Sequence, residues 1–478
     1  MPNEKNKGYE YMGFKMKGKA QRLLLTLAVS MAGIFCTACK NPIVEAGTGQ
    51  EDEGEVTEFS QEDRLILWYT DEDLTPYLNS AALNYQKEKG IKVMPVLVSG
   101  VEYLEEINKA SIHSESGPDL YITSNDNLEK AYLSGLAADI QDEDRICRKD
   151  DYPQTALDAV TYMKRKIAYP FYYETSFLLY NKTYMEDVLR ARQENESGGE
   201  DLGIVIPSTI DDILNFADEY DAPETVEAVF KWDVSDIFYN YFFIGNYISV
   251  GGDAGDDPMN INLYNEFAIQ CLKVYQQLNQ FFSIDTNIVT YEGILEEFLE
   301  GKTVFTIATT DAVGRLDAAK EAGEFLFEYG VAVIPDINID YKSRGLSVTN
   351  AVVINGYSEK QEKANDFAKY IAYDKAEDLY KRGGKIPARY GVAFENPEIS
   401  KIMEEYEKSV SIPKMLETSN FWVQLEIVFT EVWKGEDVDT ALFNMNEQIT
   451  GQMDENQVEN VKKGTSPLQN AGITQFFP

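Results

Sequence analysis

From Arg64 onward, strand-type and helix-type segments alternate, and this alternation narrows the fold more than any other feature. Leu65–Tyr69 has the apolar run of a buried strand, and Asp73–Gly90 carries helical periodicity closed by a glycine. Ile91–Val98 reads as the next strand and Val101 to about Ser116 as a helix. Gly117-Pro118-Asp119 leads into a strand at Leu120–Thr123, and Asn125–Ser134 is helical up to Gly135. Such a succession specifies βαβ units around a mostly parallel sheet. Ligands of these sheets bind outside the carboxyl ends of the strands. Tyr69–Asp73 and Thr123–Asn127 are therefore expected on one rim.

Arg165–Asn181 should share that rim. Six aromatic residues surround a lone carboxylate, Glu174. Ile167–Tyr169 and Thr175–Tyr180 have strand composition, and Pro170 predicts a kink between two short strands. A carboxylate in apolar surroundings needs a partner, because an unpaired buried charge is very costly. A protein cation and a ligand both qualify at this point.

Downstream, helices are predicted at Lys182–Gln193, Ile210–Glu219, Tyr264–Phe282, Tyr291–Leu299 and Glu359–Tyr373. Strands are predicted at Thr303–Ala308, within Phe325–Ile334 and at Ala351–Ile354. Trp232–Tyr247 is aromatic, and Pro397–Val461 is helical with a break near Ser411–Ser419. A chain of 478 residues exceeds what one core usually supports, so two domains are expected.

The net charge of −38 excludes nucleic acid and anionic membrane surfaces as docking partners, since both select basic proteins. One histidine, His113, argues against zinc and Ser-His-Asp chemistry. No P-loop, HExxH or GxSxG motif is present, and nothing calls for a metal or cofactor.

Near the start, Lys15, Lys17, Lys19 and Arg22 precede an apolar stretch, Leu23–Phe35, too short for a comfortable membrane span. It ends in Cys36-Thr37-Ala38-Cys39, which resembles a bacterial lipobox with Cys39 as the lipidated residue; Cys36 stands where a branched aliphatic is usual. Residues 1–39 are thus expected to be a lipoprotein signal peptide. Residues 40–63, with eight acidic side chains, follow as a self-repelling tether. The remaining cysteines, Cys147 and Cys271, are expected to stay unpaired.

The order of segments resembles the maltose-binding protein family, the extracellular sugar-binding proteins of ABC importers. The matching pieces are EKGIKV (88–93), GPDLYI (117–122), AYLSGLAADI (131–140) and KIAYPFYYETSFLLYNK (166–182). PSTIDDI (207–213), FLEGKTVFTIATTDAVGRLD (298–317), YGVAVIP (329–335) and SNFWVQLEIVFTEVWKGEDVDTAL (419–442) continue in the same order. The resemblance implies a two-lobed periplasmic-binding-protein-like α/β fold, each lobe a mostly parallel sheet flanked by helices. Three chain crossings form the hinge, near Tyr172–Thr175, Ile334–Ile337 and Gly383–Ala388. Lobe one is then 64–173 plus 336–385, and lobe two 174–335 plus 386–478.

A sugar offers apolar C–H faces and a rim of hydroxyls, so its site wants aromatic platforms and fixed carboxylates. By the resemblance, Glu174 matches a cleft glutamate, Trp422 a stacking tryptophan and Asp126 a cleft aspartate. Glu72 and Asp73 fall where the family has an acidic contact, and Tyr239 or Tyr241 lies in a segment supplying another aromatic. Thr123 and Asp311 stand where the family has two further cleft tryptophans, which shifts the site from stacking toward hydrogen bonding. Against each stands a structural role: a hinge ion pair for Glu174, core packing for Trp422, helix capping for the acids. Trp68, Trp232 and Trp433 read as packing residues. Few basic residues are apparent in these walls, which favours a hydroxylated ligand as the partner of Glu174.

The expected function is a non-enzymatic, lipid-anchored, monomeric receptor on the extracellular face of the cytoplasmic membrane of a Gram-positive type of bacterium. It would pass a mono- or short oligosaccharide to an ABC permease. A receptor for a polyamine or peptide, and a secreted glycoside hydrolase using two carboxylates, are the alternatives.

Overall fold

The computed structural model describes residues 64–113, 117–142, 144–195, 203–415 and 421–462. The signal peptide, Cys39 and the tether lie outside the described residues. Among those described, nine strands form one sheet: β1 (Arg64–Tyr69), β2 (Lys92–Leu97), β3 (Leu120–Ser124), β4 (Tyr169–Asn181), β5 (Ala228–Phe230), β6 (Thr303–Thr309), β7 (Tyr329–Ala332), β8 (Leu346–Ile354) and β9 (Val410–Ser411). The order is β2-β1-β3-β8-β4-β6-β5, with β7 also on β4 and β9 on β8.

β4 belongs to both halves of this sheet. Its first part pairs with β8 as far as Thr175, opposite Ser347. From Ser176, opposite Thr309, it pairs with β6, and its end also pairs with β7. The outer strands β1, β2 and β3 are mutually parallel, as is the β5–β6 pair. Within this sheet β4 runs antiparallel to β6, β7 and β8, and β8 antiparallel to β3 but parallel to β9.

The kink expected at Pro170 is not there. Tyr169–Asn181 is one continuous strand of 13 residues. Proline lacks a backbone donor, and the ladder absorbs this by shifting register between Asn350 and Ala351, just where Pro170 pairs. A shift of this kind frees a residue from the ladder. The freed segment turns to another partner: Ala388 N–H donates to Phe171 O (2.9 Å), and Tyr173 N–H to Ile386 O (3.3 Å). The crossing expected near Gly383–Ala388 is therefore stitched to the strand that carries Glu174.

Most helices fall where the periodicity puts them, with shorter ends. The helix Thr75–Lys89 stops at Gly90, whose φ of 74° suits a left-handed cap. Tyr291–Leu299 begins at Thr290, whose hydroxyl accepts Gly293 N–H. The C-terminal region is three helices, Glu398–Lys408, Phe421–Trp433 and Val438–Lys462. Trp232 and Trp433 are buried edge-to-face at 5.5 Å in the core of the second half. Each indole N–H is satisfied, by Asn240 Oδ1 and by Ile284 O (2.9 Å each). Cys147 and Cys271 are buried free thiols, and burial pushes both up to about 12. Among the described residues, no helix is long and apolar enough to cross a membrane.

Candidate ligand-binding site

A cavity of about 1270 Å³ opens between the two halves of the sheet. Seven separate segments wall it, two of them through single residues, Leu97 of β2 and Val348 of β8. At the end of β1, Asp71 caps the short helical turn Glu72–Leu74 by accepting Asp73 N–H (3.0 Å), which presents Glu72 and Asp73 to the cavity. β4 supplies Tyr173 and Glu174 just before it changes partners. Asp236 caps the helix Ile237–Asn240 by accepting Phe238 N–H (2.7 Å), so that Asp236, Phe238 and Tyr239 line the opposite wall. β6 ends at Thr309, and Asp311 opens the helix Asp311–Glu321 beside Arg315. Arg382–Ile386, from the third crossing, closes the ring.

Of the nine candidate residues, Glu72, Asp73, Glu174, Tyr239 and Asp311 meet at this cavity. Thr123 lines a smaller adjoining one of about 310 Å³, together with Asp71, Asn127 and Tyr172. Asp126 is exposed and lines neither; Ser124 and Asn127 side chains donate to its carboxylate. Trp422 and Tyr241 face each other at 6.1 Å, outside both linings. Tyr241 is buried in the second core and Trp422 packs half-buried against it. Residues 416–420, which precede this helix, are outside the described set.

Glu174 sits on the floor and forms no hydrogen bond or ion pair among the described residues, although it is largely buried. Burial raises its carboxyl above the usual carboxylate range; Lys385 opposes this, while Asp71 and Asp311 add to it. The expectation of few basic residues is corrected here. Lys385, Arg382 and Arg315 all contribute to the wall. Lys385 arrives from a segment remote in sequence, and its Nζ lies 2.8 Å from Asp71 Oδ2 and 3.5 Å from Asp73 Oδ2. Burial alone would lower the lysine, but Asp71, Glu174 and Asp73 together raise it above its ordinary value. Tyr172 Oη donates to the same Asp71 oxygen (3.4 Å). A cation and an open cavity thus both neighbour Glu174.

Across the cavity, Tyr239 stacks on Tyr291 with centroids 4.9 Å apart. Tyr291 Oη donates to Asp311 Oδ1 (3.1 Å). Sequence reasoning did not single out Lys385, Asp71, Asp236 or Tyr291. Asp71 and Lys385 lay inside segments expected at the rim and the third crossing, and Asp236 stands directly before an apolar helical run, where an acid caps. The arrangement offers fixed carboxylates, aromatic faces and cations to a hydroxylated solute. Among the described residues, no cluster of three or more side chains is suited to hold a metal ion.

A mixed sheet shared between two halves, with a solute-sized cavity at their junction, defines a two-lobed binding protein. Residues 80–406 match the family model of the bacterial extracellular solute-binding proteins. The chain belongs to that family. It is 24% identical over 430 residues to a maltooligosaccharide ABC transporter solute-binding lipoprotein of Streptococcus pneumoniae, covering 86% of this chain and 92% of the relative. Its fold is similar to that of a cyclo/maltodextrin-binding protein complexed with maltotetraose, with a TM-score of 0.68, 21% identity, and coverage of 83% of this chain and 97% of the other. An extracellular solute-binding protein from Staphylococcus aureus in complex with maltose is similar to the same degree, with a TM-score of 0.68, 20% identity, and coverage of 83% and 98%.

Proposed function

We propose that this chain captures a mono- or short oligosaccharide between its lobes and delivers it to the permease of an ABC importer, without transforming it. The observation that carries this reading is Glu174: a carboxylate with no hydrogen-bond partner among the described residues, on the floor of a cavity that also presents Tyr239 and Asp311. A hydroxyl donated by a solute would satisfy it and offset the cost of its burial. The names of two S. pneumoniae relatives, each a maltooligosaccharide ABC transporter solute-binding lipoprotein, support a sugar as the solute class. The wall sets three cations against five carboxylates, so a polyamine stays the alternative that a ligand screen separates from a sugar.

In this reading Glu174, Tyr239, Asp311, Glu72 and Asp73 contact the solute directly. Asp126, Thr123 and Trp422 join the site only as the lobes close, a movement of the kind that sequesters ligands in two-lobed proteins, while Tyr241 stays in the core behind Trp422. The lobes are 64–173 with 336–385, and 174–335 with 386–478. The change of partners after Thr175 supports the first boundary. Cys39 carries the lipid, residues 40–63 give reach, and a single copy works on the outer face of the cytoplasmic membrane.

A thermal-shift screen against mono- and malto-oligosaccharides tests this, because a bound ligand raises the melting point by mass action. A sugar-dependent rise without product formation is expected. A rise only with spermidine, or release of hydrolysed sugar, overturns the proposal.

A further inference from the structure

Asp311 opens the helix Asp311–Glu321 and lines the cavity. Two hydrogen bonds aim it: Tyr291 Oη (3.1 Å) and the Thr309 hydroxyl both donate to Oδ1. Oδ2 is left in no hydrogen bond among the described residues, with Arg315 Nη1 3.7 Å away. Tyr291 is itself held from three sides. Its backbone N–H donates to Asp233 Oδ2 (3.0 Å), its hydroxyl accepts Thr309 N–H (3.3 Å), and its ring lies against Tyr239 at 4.9 Å with planes 21° apart. Tyr239 and Asp311 line the cavity, whereas Tyr291 stands behind them.

We propose that Tyr291 is a positioning residue of the ligand site, backing the Tyr239 ring and turning the Asp311 carboxylate so that Oδ2 is free to accept a solute hydroxyl. This rests on the sugar-binding reading above. One aromatic side chain then fixes both an apolar face and a hydrogen-bonding edge, the two features that a pyranose presents. Arg315, paired with Glu292 (2.8 Å), keeps a cation beside Oδ2 without occupying it.

The test is a double-mutant cycle with maltotriose, read by calorimetry on the full chain. Tyr291→Phe keeps the ring and removes only the hydroxyl, and it is expected to weaken binding about three- to tenfold, the scale of one hydrogen bond. Asp311→Ala, which removes the acceptor altogether, should weaken it at least as much. Adding Tyr291→Phe to Asp311→Ala should cost nothing further, because the hydroxyl acts through that carboxylate. Losses that multiply, or unchanged affinity in Tyr291→Phe, overturn the assignment. If the wild-type protein binds no maltotriose or other sugar, the proposed function falls. The positioning role is then read in the ligand-free crystal structure of Tyr291→Phe, where Asp311 must leave its wild-type rotamer. An unmoved Asp311 carboxylate there overturns it too.

Discussion

Lys385 Nζ lies 2.8 Å from Asp71 Oδ2, so the third crossing is fastened to the turn that follows β1. The same lysine acts on Glu174, and its side chain is only 20% exposed. One ammonium thus neutralises carboxylates from two distant segments at the cavity floor. Lys385→Met should leave them uncompensated and destabilise the protein by about 1–3 kcal/mol, less than a fully buried pair would lose because water still reaches the site. Urea unfolding measures this; an unchanged midpoint would show that Asp71 and Glu174 are satisfied without the lysine.

Glu174 makes both stability and binding depend on pH, in opposite senses. Its folded-state carboxyl is raised by burial, so the neutral form is favoured on folding. Its stabilising contribution is full below the unfolded value and is lost as pH rises through the folded one. Glu174→Gln should flatten that decline. A solute hydroxyl donating to the carboxylate favours the ionised form, so wild-type affinity should fall as pH drops through the raised value. Calorimetry at several pH values should show the fall in wild type and not in Glu174→Gln. Retained affinity in the variant with a lowered melting point would assign Glu174 to bracing the hinge.

Glu405 offers a stronger pH effect away from the cavity. On the helix Glu398–Lys408 it is 3% exposed and accepts Ile334 N–H (2.9 Å), where the chain leaves β7 for the second crossing. Burial raises it from 4.5 to about 7, against the opposing pull of backbone donors and Lys408. Its contribution is complete below the unfolded value and disappears as pH rises through about 7. The loss between those limits is at most about 3 kcal/mol. Denaturant titrations from pH 5 to 8 should show declining stability in wild type and a shallower decline in Glu405→Gln. Parallel profiles would remove Glu405 as the source.

Trp422 packs between Phe421, at 4.7 Å, and Tyr241, at 6.1 Å. As a ligand platform its truncation to alanine should weaken sugar binding by about 1–3 kcal/mol, the scale of a hot-spot aromatic. Calorimetry decides this. Unchanged affinity with a lower melting point would assign the ring to packing against Tyr241.

The sequence by itself determined the element types, the alternation that makes an α/β sheet, and the acids that end up at the rim. Glu72 and Asp73 follow a strand, and Asp311 opens a helix; local patterns suffice to mark such positions, because caps and strand ends are set by neighbouring residues. Tertiary structure decided the rest. Pro170 lies inside a strand because its pairing with the distant β8 shifts register there, leaving Phe171 out of the ladder. Lys385 joins the cavity only because the third crossing pairs with β4, and Tyr291 only because its helix brings it under Tyr239. Partners of that kind are fixed by which segments meet. No window of neighbouring residues encodes that meeting, so the charges that surround Glu174 became visible only in the folded chain.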